Sequence, residues 1–316
     1  MSHWAIGIDL GGTKTALGLI DPDDRIVARL QMPTNAEDGP RAVVDRVATG
    51  VAKLATKLGA GKALSAVSIC CPGPVDHETG TLIDPPNLPS LHHMPLREML
   101  ADRLHLPVLV ESDSKAAALG EFYYGAGRGE HSMVYIVVGT GLGAAIIADG
   151  RLYRGECNSA GEVGHITLNP SGEVCSCGSR GCVETHVSGP WLARRYRRLA
   201  EQELETEFLD GQGITGELVA LRARQGDRLA AKIMVQAGEA LGVAVATMAM
   251  ILDVGLYVVG GGVAKAGDLL LEPARAMVPR CSYQSVGSRV CIVASQLGED
   301  GPILGCCWLA KRLVFE

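Results

Sequence analysis

The densest chemistry in this chain lies between Ser159 and Glu184, SAGEVGHITLNPSGEVCSCGSRGCVE. His165, Cys175, Cys177 and Cys182 follow the spacing H-x9-C-x-C-x4-C. One imidazole and three thiols make the Cys₃His donor set that closes a tetrahedral structural zinc site. Gly172, Gly178 and Gly181 stand among these ligands, and a knuckle that folds back on a metal needs such permissive backbone. The competing reading is a coincidental cluster or a pair of disulfides. The ligand number and the tight spacing favour metal. Glu162 and Glu184 bracket the ligands, and with four softer donors present both carboxylates are free for other work.

Glycine corners supply a second kind of chemistry. In Asp9-Leu10-Gly11-Gly12-Thr13-Lys14 two adjacent glycines remove Cβ atoms where a phosphate must approach backbone N–H groups. Thr13 and Thr15 add hydroxyls, and Asp9 can hold Mg²⁺ through water. Gly139-Thr140-Gly141-Leu142-Gly143 makes a similar corner, and Gly260-Gly261-Gly262 a third glycine-rich turn. None is a P-loop, and neither of the first two leads into a helix as a dinucleotide fingerprint does. One such corner alone reads as a tight hairpin. Together they suit one nucleotide, the first two on its phosphates and the third beside its base. Asp113 stands just after an apolar strand, at the start of a helix. It reads either as a helix-end carboxylate favoured by the dipole or as a general base for a hydroxyl substrate. Phosphoryl transfer asks the protein for little beyond positioning, charge neutralisation and such an acceptor.

These residues need an α/β scaffold. Strands are expected at His3–Ile8, Thr15–Ile20 and Ile26–Gln31, the first two joined by the glycine corner. Val43, Val44, Val47, Val51 and Leu54 mark a helix over Pro40–Leu58, with Pro40 suited to a first helical position. A strand over Leu64–Cys70 stops at Pro72-Gly73-Pro74. A helix follows around Leu96, Met99, Leu100 and Leu104, then a strand over Pro107–Val110. Ser112-Asp113-Ser114 then opens a helix in the manner of an N-cap. The second half repeats the plan: strand Met133–Val138, glycine corner, strand Ala144–Ala148, then an Asp149-Gly150 hairpin turn. WAIGIDLGGTKTALGLID and MVYIVVGTGLGAAIIADG share that order, a weak internal duplication about 130 residues apart. Helix Asp227–Leu252, strand Leu256–Val259, strand Cys291–Ala294 and helix Ile303–Leu313 complete the chain. Two lobes facing a cleft are the expected arrangement.

Composition narrows the class. The 29 basic and 35 acidic residues leave a net charge of −6 with no basic block, so nucleic acid is not an expected partner. Only 4% of residues are aromatic while 40 are glycine, which suits an α/β protein with tight turns. The N-terminal MSHWAIGIDL has no signal-peptide pattern, and no unbroken apolar run of about 18 residues suggests a membrane span. Adjacent cysteines at 70–71 and 306–307, beside a thiol-rich metal candidate, suit a reducing cytoplasm.

Over essentially its whole length the sequence resembles the ROK family, within the actin-like sugar-kinase superfamily. DLGGTK is similar to that family's first phosphate loop, GTGLG to its second and GGGVA to its adenosine loop. Glu162-Val163-Gly164-His165 followed by Cys175 to Glu184 matches the family signature in full. The resemblance implies a two-lobed, actin-like (ribonuclease H-like) α/β fold with a zinc-binding insertion. Residues 1–118 would form an N-terminal lobe, completed by a C-terminal helix over 300–316. Residues 119–299 would form the other lobe and hold the zinc segment 165–182. The resemblance also implies that ATP is held by Asp9, Gly11, Gly12, Thr13, Lys14, Gly139, Thr140, Gly141, Gly261 and Gly262, with Mg²⁺. Sugar hydroxyls would be bound by Gly73, Asn87, Ser112, Glu162, His165 and Glu184, and Asp113 would activate the sugar 6-hydroxyl.

Departures bear on which sugar is taken. The family's Asn-Asp-Ala-Asn is Ser112-Asp113-Ser114-Lys115 here, the Gly-Trp often found after Asn87 is absent, and Gly301-Pro302 replaces Ala-Gly. The expected activity is an ATP-dependent hexose kinase with glucose as default substrate; N-acetylmannosamine, N-acetylglucosamine and fructose are the alternatives. Polyphosphate remains open as the phosphoryl donor. The family also holds sugar-responsive regulators, but these carry a helix-turn-helix before the first phosphate loop, and with so few residues ahead of Asp9 a regulator is not the expected reading. A zinc-ribbon interaction protein would leave the glycine corners unexplained. A homodimer or homotetramer is implied. Zinc loss is expected to weaken sugar binding and to spare the nucleotide, whose loops lie elsewhere in the sequence.

Overall fold

Trp4–Leu10 (β1) carries apolar residues on both faces, the mark of a strand covered on both sides. In the computed structural model, which describes residues 3–202 and 213–313, it is the centre of a five-stranded sheet. β2 (Lys14–Ile20) runs antiparallel to it and β3 (Ile26–Pro33) lies outside β2. On the other side β4 (Leu64–Cys71) and then β7 (Val108–Ser112) pair in parallel, giving the order β3-β2-β1-β4-β7. β3 alternates exposed and half-buried residues, as an edge strand with one wet face should. A small hairpin, β5 (Val75–Asp76) and β6 (Thr81–Leu82), follows β4.

Helices cover both faces of this sheet. α1 (Pro40–Ala55) buries Val43, Val44, Val47, Val51 and Leu54 with α2 (Leu96–Leu104) against Ile6, Ile8 and Leu17. It ends three residues before the expected Leu58. The opposite face takes α3 (Asp113–Tyr124) and the closing helix α10 (Asp300–Leu313). The close approach of those two rests on glycine. A Cβ on Gly120 would lie 2.1 Å from the Gly301 carbonyl oxygen, and one on Gly305 would lie 1.8 Å from that of Ala116. Met1–Gly129, Leu152–Ala160 and Leu297–Glu316 form one compact unit. α3 therefore runs through residue 118, and 152–160 is counted in this unit.

Glu130–Arg151 and Gly161–Gln296 form the second unit. Its sheet follows the same plan. β8 (Met133–Val138) pairs antiparallel with β9 (Leu142–Ala148), and Asp149 and Gly150, at φ 50 and 72°, turn the chain into β10 (Arg151–Tyr153). β11 (Leu256–Gly260) and β12 (Cys291–Ala294) add in parallel, giving β10-β9-β8-β11-β12. The two sheets thus share one topology, which is the structural form of the duplication seen in sequence. Around this sheet stand α4 (Glu184–Val187), α5 (Gly189–Gln202), α6 (Gly216–Arg224), α7 (Arg228–Leu252), α8 (Asp268–Met277) and α9 (Gln284–Gly287). Asp227 caps α7 by accepting the Ala230 amide at 2.9 Å. α7 is long and apolar enough to cross a membrane by length and composition, yet Ile233, Met234, Leu241 and Val245 are buried in this unit's core. Its glycines 238 and 242 let α8 approach, their added Cβ atoms falling 2.4 Å from the Leu270 and Ala274 carbonyl oxygens.

Candidate active site

Asp9 and Asp113 stand at the C-terminal edge of the first sheet, where Asp9 of β1 pairs with Cys70 of β4. Ser112 ends β7 and is the N-cap of α3, but its side chain makes no capping bond. The amide of Ser114 goes instead to the Asp113 carboxylate, donating to Oδ1 at 2.6 Å. The Ser112 hydroxyl is buried and finds no partner among the described residues. Burial pushes the Asp113 carboxyl up to about 6, helped by the charge of Asp9 and opposed by the Ser114 amide and Lys115. Asp9 is likewise raised by burial to about 6, against the Cys70 thiol and Lys14. Two acids that repel one another in a dry site keep basicity near neutral pH, as a general base requires.

The two glycine corners are built alike. In the first, Gly11 N donates to Lys14 O at 3.0 Å. Thr34 supports the loop from β3's end, donating its amide to Thr13 O at 3.0 Å and its hydroxyl to Gly11 O at 2.7 Å. The amides of Gly12 and Thr13 keep no backbone partner among the described residues. In the second, Gly139 N donates to Gly141 O at 2.9 Å, and the amides of Thr140 and Gly141 are left in the same condition. Each corner thus offers two adjacent N–H groups, the donor pair an anion binds. Lys14 pairs with Glu299 of α10's approach at 2.8 Å. Gly73, at φ 91°, packs against Pro85 and Pro86, and a Cβ on Gly12 would lie 2.9 Å from Asn87 O. The first phosphate-loop candidate and the Asn87 loop therefore touch.

In the second unit a ring nitrogen of His165 and the Sγ atoms of Cys175, Cys177 and Cys182 lie within 4.8 Å of one another. Cys177 Sγ is 3.7 Å from Cys182 Sγ, and Cys175 Sγ is 3.7 Å from His165 Nδ1. Ligands about 2.3 Å from a central zinc stand about 3.8 Å apart at tetrahedral angles. The donor set therefore fits zinc, and the sulfurs are too far apart for disulfides. The loop that carries them turns at Gly178 and Gly181, at φ 89 and 62°. Glu162 precedes a 3₁₀ turn over Val163–His165. Glu184, the first residue of α4, accepts the Leu142 amide at 3.0 Å through Oε2, while its Oε1 accepts from the Ser176 hydroxyl at 3.3 Å. The second glycine corner is thus not remote from the metal segment, contrary to the expectation drawn from their separation in sequence. Beyond β11, Gly261 at φ 93° lies against the Val138 backbone, where a Cβ would fall 2.4 Å from its carbonyl oxygen. Gly262 leads into a 3₁₀ turn, Val263–Ala266.

Several partners here had no signal in the sequence. Glu111, buried beside Ser112, pairs with Arg154 at 2.5 Å and also accepts the Ser112 amide at 3.0 Å. Lys115, which departs from the family pattern, is buried and donates to Asn158 O at 2.7 Å. Both bonds tie 152–160 to the strand and helix that carry Asp113. Residues more than forty positions apart give no local pattern from which to read such pairs.

The sequence pattern of the ROK family matches residues 5–313. A glucokinase of Thermotoga maritima is 33% identical over 98% of each chain, and one of Streptomyces coelicolor is 36% identical over 97% of each. Among solved structures, a ROK family glucokinase from Streptomyces griseus in complex with glucose and AMPPNP superposes with a TM-score of 0.82 at 35% identity, covering 98% of this chain and 99% of the other. The chain belongs to the ROK family.

Proposed function

We propose that this chain is an ATP-dependent hexose kinase that moves the γ-phosphoryl group to the 6-hydroxyl of a sugar, with glucose as the default substrate. The observation that carries the reading is the matched pair of glycine corners, each with two unclaimed amides, together with a buried Asp113 whose carboxyl is raised to about 6. It is supported by family membership and by a relative solved with glucose and an ATP analogue.

Asp113 accepts the proton of the sugar hydroxyl as that oxygen bonds to the γ-phosphorus. The bond from the γ-phosphorus to the bridging oxygen breaks, and ADP leaves with that electron pair. Gly11, Gly12, Thr13 and Lys14 of the first corner and Gly139, Thr140 and Gly141 of the second hold the phosphates; Gly261 and Gly262 lie by the adenosine. Asp9 would hold Mg²⁺, which would neutralise phosphate charge. Sugar hydroxyls are bound by Gly73, Asn87, Ser112, Glu162, His165 and Glu184. His165, Cys175, Cys177 and Cys182 would hold zinc with four protein donors, and the ion would then orient side chains rather than take part in the chemistry.

The unpartnered Ser112 hydroxyl favours one finer reading. A serine in place of the family's asparagine leaves room for a ring substituent, which keeps N-acetylmannosamine and N-acetylglucosamine in play. The chain acts in the cytoplasm, consistent with ten free cysteines, and assembles as a homodimer or homotetramer without nucleic acid or membrane. A coupled ADP-release assay over a sugar panel, run with ATP and separately with polyphosphate, tests the function. Absence of sugar-dependent turnover with either donor would refute it.

A further inference from the structure

Glu184 occupies a junction. Its Oε2 takes the amide of Leu142, the residue at which β9 leaves the second glycine corner. Its Oε1 takes the hydroxyl of Ser176, which lies between the ligands Cys175 and Cys177, and is 3.9 Å from the Cys175 thiol. Gly141 has no space for a side chain on this flank, since a Cβ would fall 2.9 Å from Glu184 Oε2. The surrounding backbone makes the same connection. Gly161 O accepts the Ala144 amide and Gly139 O accepts the Gly189 amide, both at 2.8 Å. Gly164 sits directly on the Leu142 carbonyl, where a Cβ would lie 2.1 Å from its oxygen. The corner is therefore held by the chain on both sides of the metal ligands, and among the described residues Glu184 is bonded both to it and to the turn between the first two cysteines.

Resting on the kinase and zinc readings above, we propose that Glu184 is a positioning residue for the nucleotide, which ties the metal knuckle to the second phosphate loop and makes nucleotide affinity depend on metal occupancy. Between the buried Cys175 and Cys182, the side chains of Ser176, Cys177, Ser179 and Arg180 are exposed and take little support from apolar packing, so backbone bonds such as Cys175 N to Ser179 O at 2.8 Å and the metal share the work of keeping the turn's shape. Metal loss frees that turn, and Ser176 with it. The carboxylate then keeps one anchor instead of two, and the Leu142 amide, the Thr140 amide and the Gly141 amide lose their fixed spacing. A carboxylate oxygen has two lone pairs, so Glu184 can still accept a sugar hydroxyl while it accepts from the Leu142 amide and the Ser176 hydroxyl. What separates the two roles is nucleotide binding with no sugar present.

The experiment is calorimetric titration of AMPPNP with Mg²⁺, without sugar, on four forms: wild type with zinc, wild type verified metal-free, Glu184→Ala with zinc, and Glu184→Ala metal-free. Wild type is expected to lose roughly tenfold in affinity without zinc and to regain it when zinc is restored. Glu184→Ala should lose a similar factor with zinc in place and little more on metal removal, because the connection is already cut. Ser176→Ala with zinc should fall between, and the Leu142 amide should exchange faster with deuterium in every weakened form. Equal affinity of wild type with and without zinc would overturn the proposal. So would a metal-removal loss in Glu184→Ala as large as in wild type. If the metal-free protein unfolds on circular dichroism, unchanged affinity in zinc-loaded Glu184→Ala overturns it instead. Failure of zinc-loaded wild type to bind AMPPNP at all would overturn the kinase reading itself.

Discussion

Glycines 12 and 139 stand in corners of the same design, yet the structure predicts different outcomes when each is replaced by valine. At Gly12 the added Cβ would lie 2.9 Å from Asn87 O and 3.1 Å from Asn87 Cβ. Contacts that short force the backbone of one loop to move by a few tenths of an ångström. Overpacking of this kind costs about 1–3 kcal/mol, and for a unit of this size that lowers Tm by about 2–4 °C per kcal/mol. The loop displaced is the one carrying Asn87, so Gly12→Val should raise the KM for the sugar as well as for ATP. At Gly139 no atom lies within 4 Å of the added Cβ. Gly139→Val should therefore shift stability by about 0.5 kcal/mol at most, while the new side chain obstructs the approach of phosphate. The expectation is a KM for ATP raised about tenfold or more, a loss near 1.4 kcal/mol, with the sugar KM within about twofold. Steady-state kinetics with each substrate varied, alongside thermal unfolding, reads all four quantities. An ATP KM for Gly139→Val within about twofold of wild type would remove the second corner from the phosphate site. A Gly12→Val protein with unaltered Tm and sugar KM would show that the Asn87 contact is not the constraint inferred here.

Asp113→Asn should abolish turnover while sugar and nucleotide still bind by calorimetry; a turnover within about tenfold of wild type would take the base role from Asp113. In kcat against pH, an acidic limb is expected near pH 6, because burial raises the Asp113 carboxyl to about 6 and only its ionised form accepts a proton. The sign for stability is opposite: a folded-state value above the unfolded one stabilises the fold most at pH below about 4, and that contribution is lost as pH rises through 6. A flat profile from pH 5 to 8 would exclude an acid of that strength from the rate-limiting step. Ser112→Asn should fill the space beside the unpartnered hydroxyl and move the ranking of kcat/KM toward glucose. Identical rankings across the panel would refute that. Cys177→Ser, or a strong chelator, should weaken sugar binding severely while the core strands of the second unit stay folded; unaltered sugar affinity in verified metal-free protein would defeat the link between zinc and the His165 ring.

What the sequence determined by itself was whatever is written in short-range pattern. Met133–Val138 and Cys291–Ala294 are strands at the boundaries their apolar runs suggest, and the Asp149-Gly150 turn takes the positive φ angles its residues favour. The glycine corners and the cluster of His165, Cys175, Cys177 and Cys182 were legible because such turns and knuckles are built from neighbours in sequence. The duplication was legible too, because two copies of one strand-corner-strand unit leave the same pattern twice. Helix ends were less exact: α1 stops at Ala55 although Leu58 continues its apolar spacing and packs on the same core, because the Lys57 and Leu58 amides bond the carbonyls three residues back rather than four. Tertiary structure alone decided who stands beside whom. Asn87 lies on the glycine at 12, Thr34 braces the first corner, Glu111 and Lys115 hold the 152–160 segment, and Glu184 spans from the metal turn to Leu142. Each of these pairs separates its partners by more than twenty residues. Their identity follows from the sheet order and from how closely glycines let backbones approach, neither of which leaves a local mark. The type of each chemical group is a local property of sequence; its burial and its partners, and hence its basicity and its role, are properties of the folded chain.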